Sequence, residues 1–171
     1  MFTTDADFDR PDWPLVEWGA VTLFWNPAVL VEVEGQLKTI GYKIDRVSCR
    51  EGVEAFRDQM SDALNWKGQF GYWPWTGNLD ALEDGFRDYP GGPEGRAALV
   101  LDGFHMQAQA DENYAHAILD IIEGASRDLL LRSRILIGLV QTDDNQYACP
   151  PIGGRRAHWN RRELANQNRG L

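Results

Sequence analysis

The sequence predicts an α/β domain in which a small sheet of about four mainly parallel strands carries helices packed on it. Short apolar or β-branched runs recur at residues 21–25, 42–47, 97–101 and 134–140. Segments with the apolar period of a helix lie between them, and this alternation argues for parallel strands joined by right-handed crossovers. The run at 134–140 is apolar nearly throughout, as befits a central strand covered on both faces. With 171 residues, 43% of them hydrophobic, the chain can bury a real core as one domain.

The elements follow in order. Residues 11–19 form a Trp-rich lead-in whose Trp13 and Trp18 are expected to cover an edge of the sheet. After the run at 21–25, Asn26 and Pro27 pair a helix cap with a proline at the first helical position. Val29, Leu30, Val33, Leu37 and Ile40 then recur at helical spacing, and Gly41 ends the helix. Ser48 and Glu51 have capping-box spacing, which predicts a helix there with Val53, Phe56, Met60 and Leu64 on its buried side. Residues 65–77 carry three glycines, three tryptophans, Phe70 and Tyr72 without either period, so they read as an aromatic loop. Asn78 caps a short helix to Arg87, with Leu79, Leu82 and Phe86 as its apolar stripe. Residues 90–95, rich in Pro and Gly, read as a turn. Asp111 opens the longest helix, with Tyr114, Ile118, Ile121, Ile122, Ala125 and Leu129 on one stripe. The single domain is thus expected over residues 1–144. Residues 145–171 change character, with Pro150, Pro151 and five arginines, and are expected to be a basic, weakly structured tail. A sharper expectation is that this tail lies back across the chain's own acidic helix.

Composition narrows the function. The formal net charge is −9, which makes nucleic acid a poor direct ligand and a basic protein a plausible one. The first ten residues are acidic and have no apolar core of a signal peptide, and no run has the length of a membrane span, so a cytoplasmic protein without membrane contact is expected. Cys49 and Cys149 lie far apart and form no zinc set, so both are expected as reduced thiols. His105, His116 and His158 are scattered. Glu112 and His116 have the spacing of a surface ion pair rather than of a metal site, so no metal or cofactor is expected.

The richest stretch is residues 71–90, where an aromatic loop leads into the short helix bearing Asp80, Glu83 and Asp84. Asp80 and Asp84 lie four apart and share a face, where like charges repel slightly, so helix stability does not explain the pair. Read as catalytic carboxylates they fail, because side by side on one helix they cannot flank a substrate. No nucleophile elbow is present and the glycines near Pro90 lack the Lys and Ser or Thr of a phosphate loop, so no enzyme is predicted and no catalytic residue is assigned. For any one ring of the loop the plain expectation is core cover. Aromatics beside charge also build interface centres.

At these residues the chain resembles a known family. Trp75-Thr76-Gly77-Asn78-Leu79-Asp80-Ala81-Leu82, followed by Asp84, is similar to the loop and second helix of the barstar family, small bacterial inhibitors of the ribonuclease barnase. The order of elements extends the resemblance from about Tyr42 to Asp143, making residues 42–144 the barstar-like core and residues 1–41 an N-terminal β-α extension. The resemblance implies that Asp80 and Asp84 enter a nuclease active site, with Trp75, Thr76, Gly77 and Asn78 in the contacting loop. Trp73 lies beside them. It also implies a contacting glutamate on the long helix, for which Glu123 and, one turn earlier, Asp120 are the candidates. Glu83 stands where the family has an exposed Trp, and Pro74 where it has a loop tyrosine. The more acidic face implies a partner other than barnase itself, a small basic ribonuclease or nuclease toxin domain with a broader basic cleft. An immunity-type inhibitor, acting as a monomer, is therefore expected. The alternative is a non-inhibitory protein-protein interaction module on the same fold.

Overall fold

The computed structural model describes residues 8–89 and 95–171. The turn expected at Pro90–Glu94 and most of the acidic N-terminus lie outside the described residues. The chain runs α1 (Trp13–Val16), β1 (Val21–Phe24), α2 (Pro27–Thr39), β2 (Lys43–Ser48), α3 (Val53–Ala63), α4 (Trp66–Phe70), α5 (Leu79–Gly85), β3 (Arg96–Asp102), α6 (His105–Ala110), α7 (Glu112–Leu130), β4 (Ile135–Gln141) and β5 (His158–Trp159).

All neighbouring strands pair in parallel, in the order β2-β3-β4-β1-β5. The chain steps from β2 through β3 to β4 in one direction and from β1 back to β2 in the other. Right-handed crossovers then require α2 on the face opposite α3, α5 and α7. The two cores bear this out. Leu99 and Leu101 of β3 join Phe56, Met60, Leu82, Ile118 and Ile122 on one face, while Ala98 and Val100 join Leu30, Val33 and Leu37 of α2 on the other. Every residue of β4 is buried, as its apolar run predicts. Gly138 lets α7 lie close on β4, since a Cβ there would meet Ile122 Cγ2 at 3.1 Å.

Local chemistry fixes several helix starts. Asn26 Oδ1 accepts from the Ala28 N–H at 2.9 Å, and Asp111 Oδ1 accepts from the Tyr114 N–H at 3.0 Å. The expected capping box at Ser48 and Glu51 does not form. Ser48 remains in β2, its N–H donating to Gln59 Oε1, and α3 starts from Gly52, whose φ of 91° suits glycine. His116 approaches the Pro151 carbonyl at 3.0 Å, not the Glu112 expected as its partner. Cys49 is buried and Cys149 half-buried, and neither is bonded to the other. Burial pushes the Cys49 thiol up to about 12 and the Cys149 thiol up to about 11.

At the carboxyl ends of the strands, Arg50 joins three of them. Its guanidinium donates to Asp143 at 2.7 and 3.0 Å and to Gln141 Oε1 at 2.9 Å, and it lies 3.5 Å from Asp102. Gln141 Nε2 donates to Asp143 Oδ1 at 2.9 Å. The donors from Arg50, and then Gln141, hold the Asp143 carboxyl well below the usual carboxylate range.

The C-terminal segment departs from the expectation of a weakly structured tail. β5 adds a fifth strand beside β1, with Thr22 opposite His158 and Leu23 opposite Trp159. Glu163, 1% exposed, accepts the N–H groups of Trp25 and Asn26 at 3.2 and 2.7 Å. Arg169 is buried, donates to the carbonyls of Asn145 and Glu163, and covers the Trp159 ring at 4.6 Å. The tail thus docks along β1 rather than across the acidic helix, because its two-residue strand and Glu163 satisfy backbone groups that the edge of β1 leaves open. Trp18, expected to cover the sheet edge, is 58% exposed and meets His158 edge-on at 5.9 Å.

Two outcomes follow from these contacts. Glu163→Ala orphans two backbone donors and is expected to lower the unfolding free energy by about 1–3 kcal/mol in urea titrations. Asp143→Asn is expected to be less stable than the parent at pH 7. A depressed folded pKa stabilises above the unfolded value, near 4, and that contribution is lost as pH falls through the folded value. The stability gap between the two proteins should therefore narrow below about pH 4, as urea titrations at pH 7, 5, 4 and 3 will show.

Candidate partner-binding face

α5 is short, and three contacts set its position. Asn78 Oδ1 accepts from the Ala81 N–H at 3.0 Å, capping the helix as its sequence predicts. Leu82 and Phe86 are buried in the core, which turns the opposite side outward. Just before the cap, Trp75 is fully buried against Phe56 and Trp66, with ring centroids 6.3 and 6.2 Å away. Its backbone N–H donates to Ser61 Oγ at 2.7 Å, and its indole Nε1 donates to the Asn78 carbonyl at 2.8 Å. One ring thus ties the loop to α3 and holds the residue that caps the helix.

Gly77 is the tightest point of the loop. Its φ is 93°, a Cβ would come within 2.6 Å of the Arg57 guanidinium, and its carbonyl accepts from the Tyr114 hydroxyl at 2.8 Å. Arg57 of α3 and Tyr114 of α7 therefore border the loop, and no local pattern points to either, since both lie at least 20 residues away.

The carboxylates divide by environment. Asp80 and Glu83 are exposed and have no hydrogen-bond or ion-pair partner among the described residues. Asp84, half-buried, pairs with the exposed Arg87 at 2.8 Å, one turn on. Thr76 and Asn78 are exposed beside Asp80, and Gly77 is half-buried. Trp73 is 45% exposed, and its Nε1 donates to Asp62 at 3.1 Å. Tyr72 is 44% exposed. The outward face therefore gathers Trp73, Thr76, Asn78, Asp80, Glu83 and Asp84.

Two expected contact residues lie elsewhere. Trp75 is a core residue, because its large ring fills the space between α3 and α5. Glu123 is 2% exposed, accepting the Ala20 N–H at 2.6 Å and Arg127 Nη2 at 3.1 Å. It anchors the entry to β1 rather than facing outward. The acids that α7 turns toward α5 are Asp120 and Asp128, which line a groove of about 360 Å³ together with Glu83, Arg87 and Arg132. Asp120 also accepts the Gly153 N–H at 2.6 Å. The spacing of Asp120, Gly124 and Asp128 at i, i+4 and i+8 is the signal that places Asp128 on this side.

The model of the family described as Barstar (barnase inhibitor) matches residues 44–140, more than half of the chain. The chain belongs to the barstar family. The match runs from β2 to β4, so it contains the whole acidic face and leaves α1, β1, α2 and the C-terminal segment outside. No curated protein and no solved structure matches the chain. No helix among the described residues is long and apolar enough to cross a membrane, and none of their His, Cys, Asp and Glu side chains cluster in threes that could hold a metal.

The division of this barstar-family face into buried anchors and outward groups is open to test. Trp75→Ala is expected to cost about 3–5 kcal/mol of stability, and Glu123→Ala about 1–3 kcal/mol through the stranded Ala20 N–H. Asp80→Ala should leave the urea midpoint within error of the parent.

Proposed function

We propose that the chain is an immunity-type inhibitor that binds a small basic ribonuclease or nuclease toxin domain and blocks its active site. Family membership supports the class of partner, and the observation that carries the reading is the pair of exposed, unpartnered carboxylates at Asp80 and Glu83. A nuclease holds RNA phosphates with Lys, Arg and His, and fixed carboxylates can take the place of those phosphates through charge-assisted hydrogen bonds. Asp80 is the anchor that enters without giving up an internal contact. Asp84 exchanges Arg87 for a cation of the nuclease, and an exposed pair of this kind is worth at most about 1 kcal/mol. Thr76, Asn78 and Trp73 supply the rim around the acids. The net charge of −9 steers a basic partner to this face, so association slows as salt rises. A monomer acting in the cytoplasm suffices for this mechanism.

Glu83 lies at the α5–α7 groove, where Asp120 and Asp128 are accompanied by Arg87, Arg127 and Arg132. A second reading, a non-inhibitory interaction module, is favoured by the exposed rings of Phe70, Tyr72 and Trp73 alongside α4 and the loop. Rings of this kind form the centre of many interfaces without blocking an active site.

Titration into a panel of small basic ribonucleases is expected to stop RNA cleavage at a near-stoichiometric ratio for at least one member. Asp80→Ala and Asp84→Ala should each weaken that complex by at least about 2 kcal/mol, the level of a hot spot. Arg87→Ala, which removes the competing cation, should tighten it. Absence of inhibition across the panel moves the assignment to the interaction module, and a tight complex indifferent to both aspartate substitutions removes α5 from the site.

A further inference from the structure

One cation stands beside the acidic face without a use inside the protein. Arg57 of α3 lies over Gly77, three residues before Asp80. A Cβ on that glycine would fall 2.6 Å from Arg57 Nη2 and 2.9 Å from both Cζ and Nε, so the guanidinium lies along the backbone of the loop. Tyr114 borders the same place, with its hydroxyl spent on the Gly77 carbonyl at 2.8 Å. Burial raises the pKa of that hydroxyl, and the neighbouring charge of Arg57 opposes the shift.

Arg57 is half-buried, yet its guanidinium has no hydrogen-bond or ion-pair partner among the described residues. The other arginines that are half-buried or buried among them all have one. Arg10 meets Asp12, Arg96 the Ile40 carbonyl, Arg134 the Asp88 carbonyl and Arg169 the Asn145 carbonyl. Asp80, so close in sequence to Gly77, does not pair with Arg57 either. Partial burial of five N–H donors without an acceptor is costly, and the planar fork they form is shaped to take a carboxylate. A face that met only cations would bind better without Arg57, because like charges brought together across an interface oppose docking. The residue gains a use where the partner sets an anion against it.

We propose that Arg57 determines which nucleases this face accepts, by pairing with a carboxylate that serves the nuclease as general base. The proposal rests on the inhibitor reading and narrows its class of partner. Cleavage of RNA by its own hydroxyl needs a group that removes a proton, and histidine and carboxylate are the common choices. A carboxylate base lies among the cations that hold the phosphate, and it is the group in such a cleft that Asp80 and Asp84 repel. Arg57, over the loop that leads into Asp80, supplies the charge that offsets this repulsion. A cleft with a histidine base offers no anion there, and the guanidinium then works against docking.

The test uses the full-length protein and a ribonuclease panel that contains both kinds, enzymes with a carboxylate base and enzymes that work with two histidines. Binding to each inhibited member is measured by calorimetry for the parent, Arg57→Ala and Arg57→Lys. Arg57→Ala is expected to weaken the complex with a carboxylate-base nuclease about 10-fold or more, the worth of hydrogen bonds to a charged group. Arg57→Lys, which keeps the charge but not the fork, should recover part of that loss. When the general-base glutamate of the same nuclease is replaced by alanine, the parent and Arg57→Ala should bind it alike. A loss that persists against that altered nuclease shows that Arg57 acts by shaping the loop, and overturns the proposal. Equal binding of parent and Arg57→Ala to the unaltered nuclease also overturns it. Inhibition confined to two-histidine nucleases overturns it while the inhibitor reading stands, whereas absence of inhibition across the panel removes that reading and the proposal together.

Discussion

Burial of Trp75 is the constraint on which the acidic face depends. The ring is packed between Phe56 and Trp66, and its two N–H groups are spent on Ser61 and on the carbonyl of Asn78. A helix as short as α5 is marginal by propensity alone, so its place must come from tertiary contacts. Asn78 is where these meet, since its side chain caps the helix while its carbonyl is gripped by the buried indole. Leu82 and Phe86 then fix the rotation of the helix, and Asp80, Glu83 and Asp84 are left on the side away from the core. The aromatic loop is thus less a surface than a tether, with Tyr72 and Trp73 as the rings it leaves outside.

Charge distribution explains why those acids remain open. The chain has 17 Lys and Arg against 26 Asp and Glu, and many of the arginines are committed elsewhere. Arg46 takes Glu34, Arg50 takes Asp102 and Asp143, Arg127 takes Glu123, and Arg161 and Arg162 take Glu17 and Glu32. Several of these pairs join parts distant in sequence, so they fasten elements together where α5 needs no fastening. Among the described residues only Arg87 pairs with a carboxylate of α5, and it reaches Asp84 alone. Asp80 and Glu83 are among the carboxylates left without an ion pair, and both lie on one exposed helix.

What could be read from the sequence was local. The caps at Asn26, Asn78 and Asp111 each act within three residues, and each formed as its spacing predicts. The apolar run of β4 needed only its own composition. The capping box at Ser48 and Glu51 was equally local and failed because β2 keeps Ser48 in the sheet, where pairing with Asp102 outweighs a cap. The remaining differences come from contacts between residues far apart. Glu123 meets Ala20 across 103 positions, and Glu163 meets Asn26 across 137. No periodicity or spacing encodes such a meeting, so a buried carboxylate in α7 and a basic-looking tail could not be told from exposed ones. Trp75 and Trp73 show the same limit, since two rings of one loop went to opposite sides of the surface.

The C-terminal segment also solves a problem that the N-terminal extension creates. Adding β1 beside β4 moves the open edge of the sheet outward, and a strand as apolar as Val21–Phe24 with free backbone groups invites pairing with another chain. β5 is only two residues long, yet it covers Thr22 and Leu23, and Glu163 takes the next two N–H groups at Trp25 and Asn26. The arginines that give this segment its basic composition are then the means of attachment, through Glu17, Glu32 and the buried guanidinium of Arg169. An extension and a tail that look separable in the sequence are therefore one structural unit, and neither is complete without the other. That unit borders a cavity of about 600 Å³ as a by-product of closing the edge, at the far side of the sheet from β2.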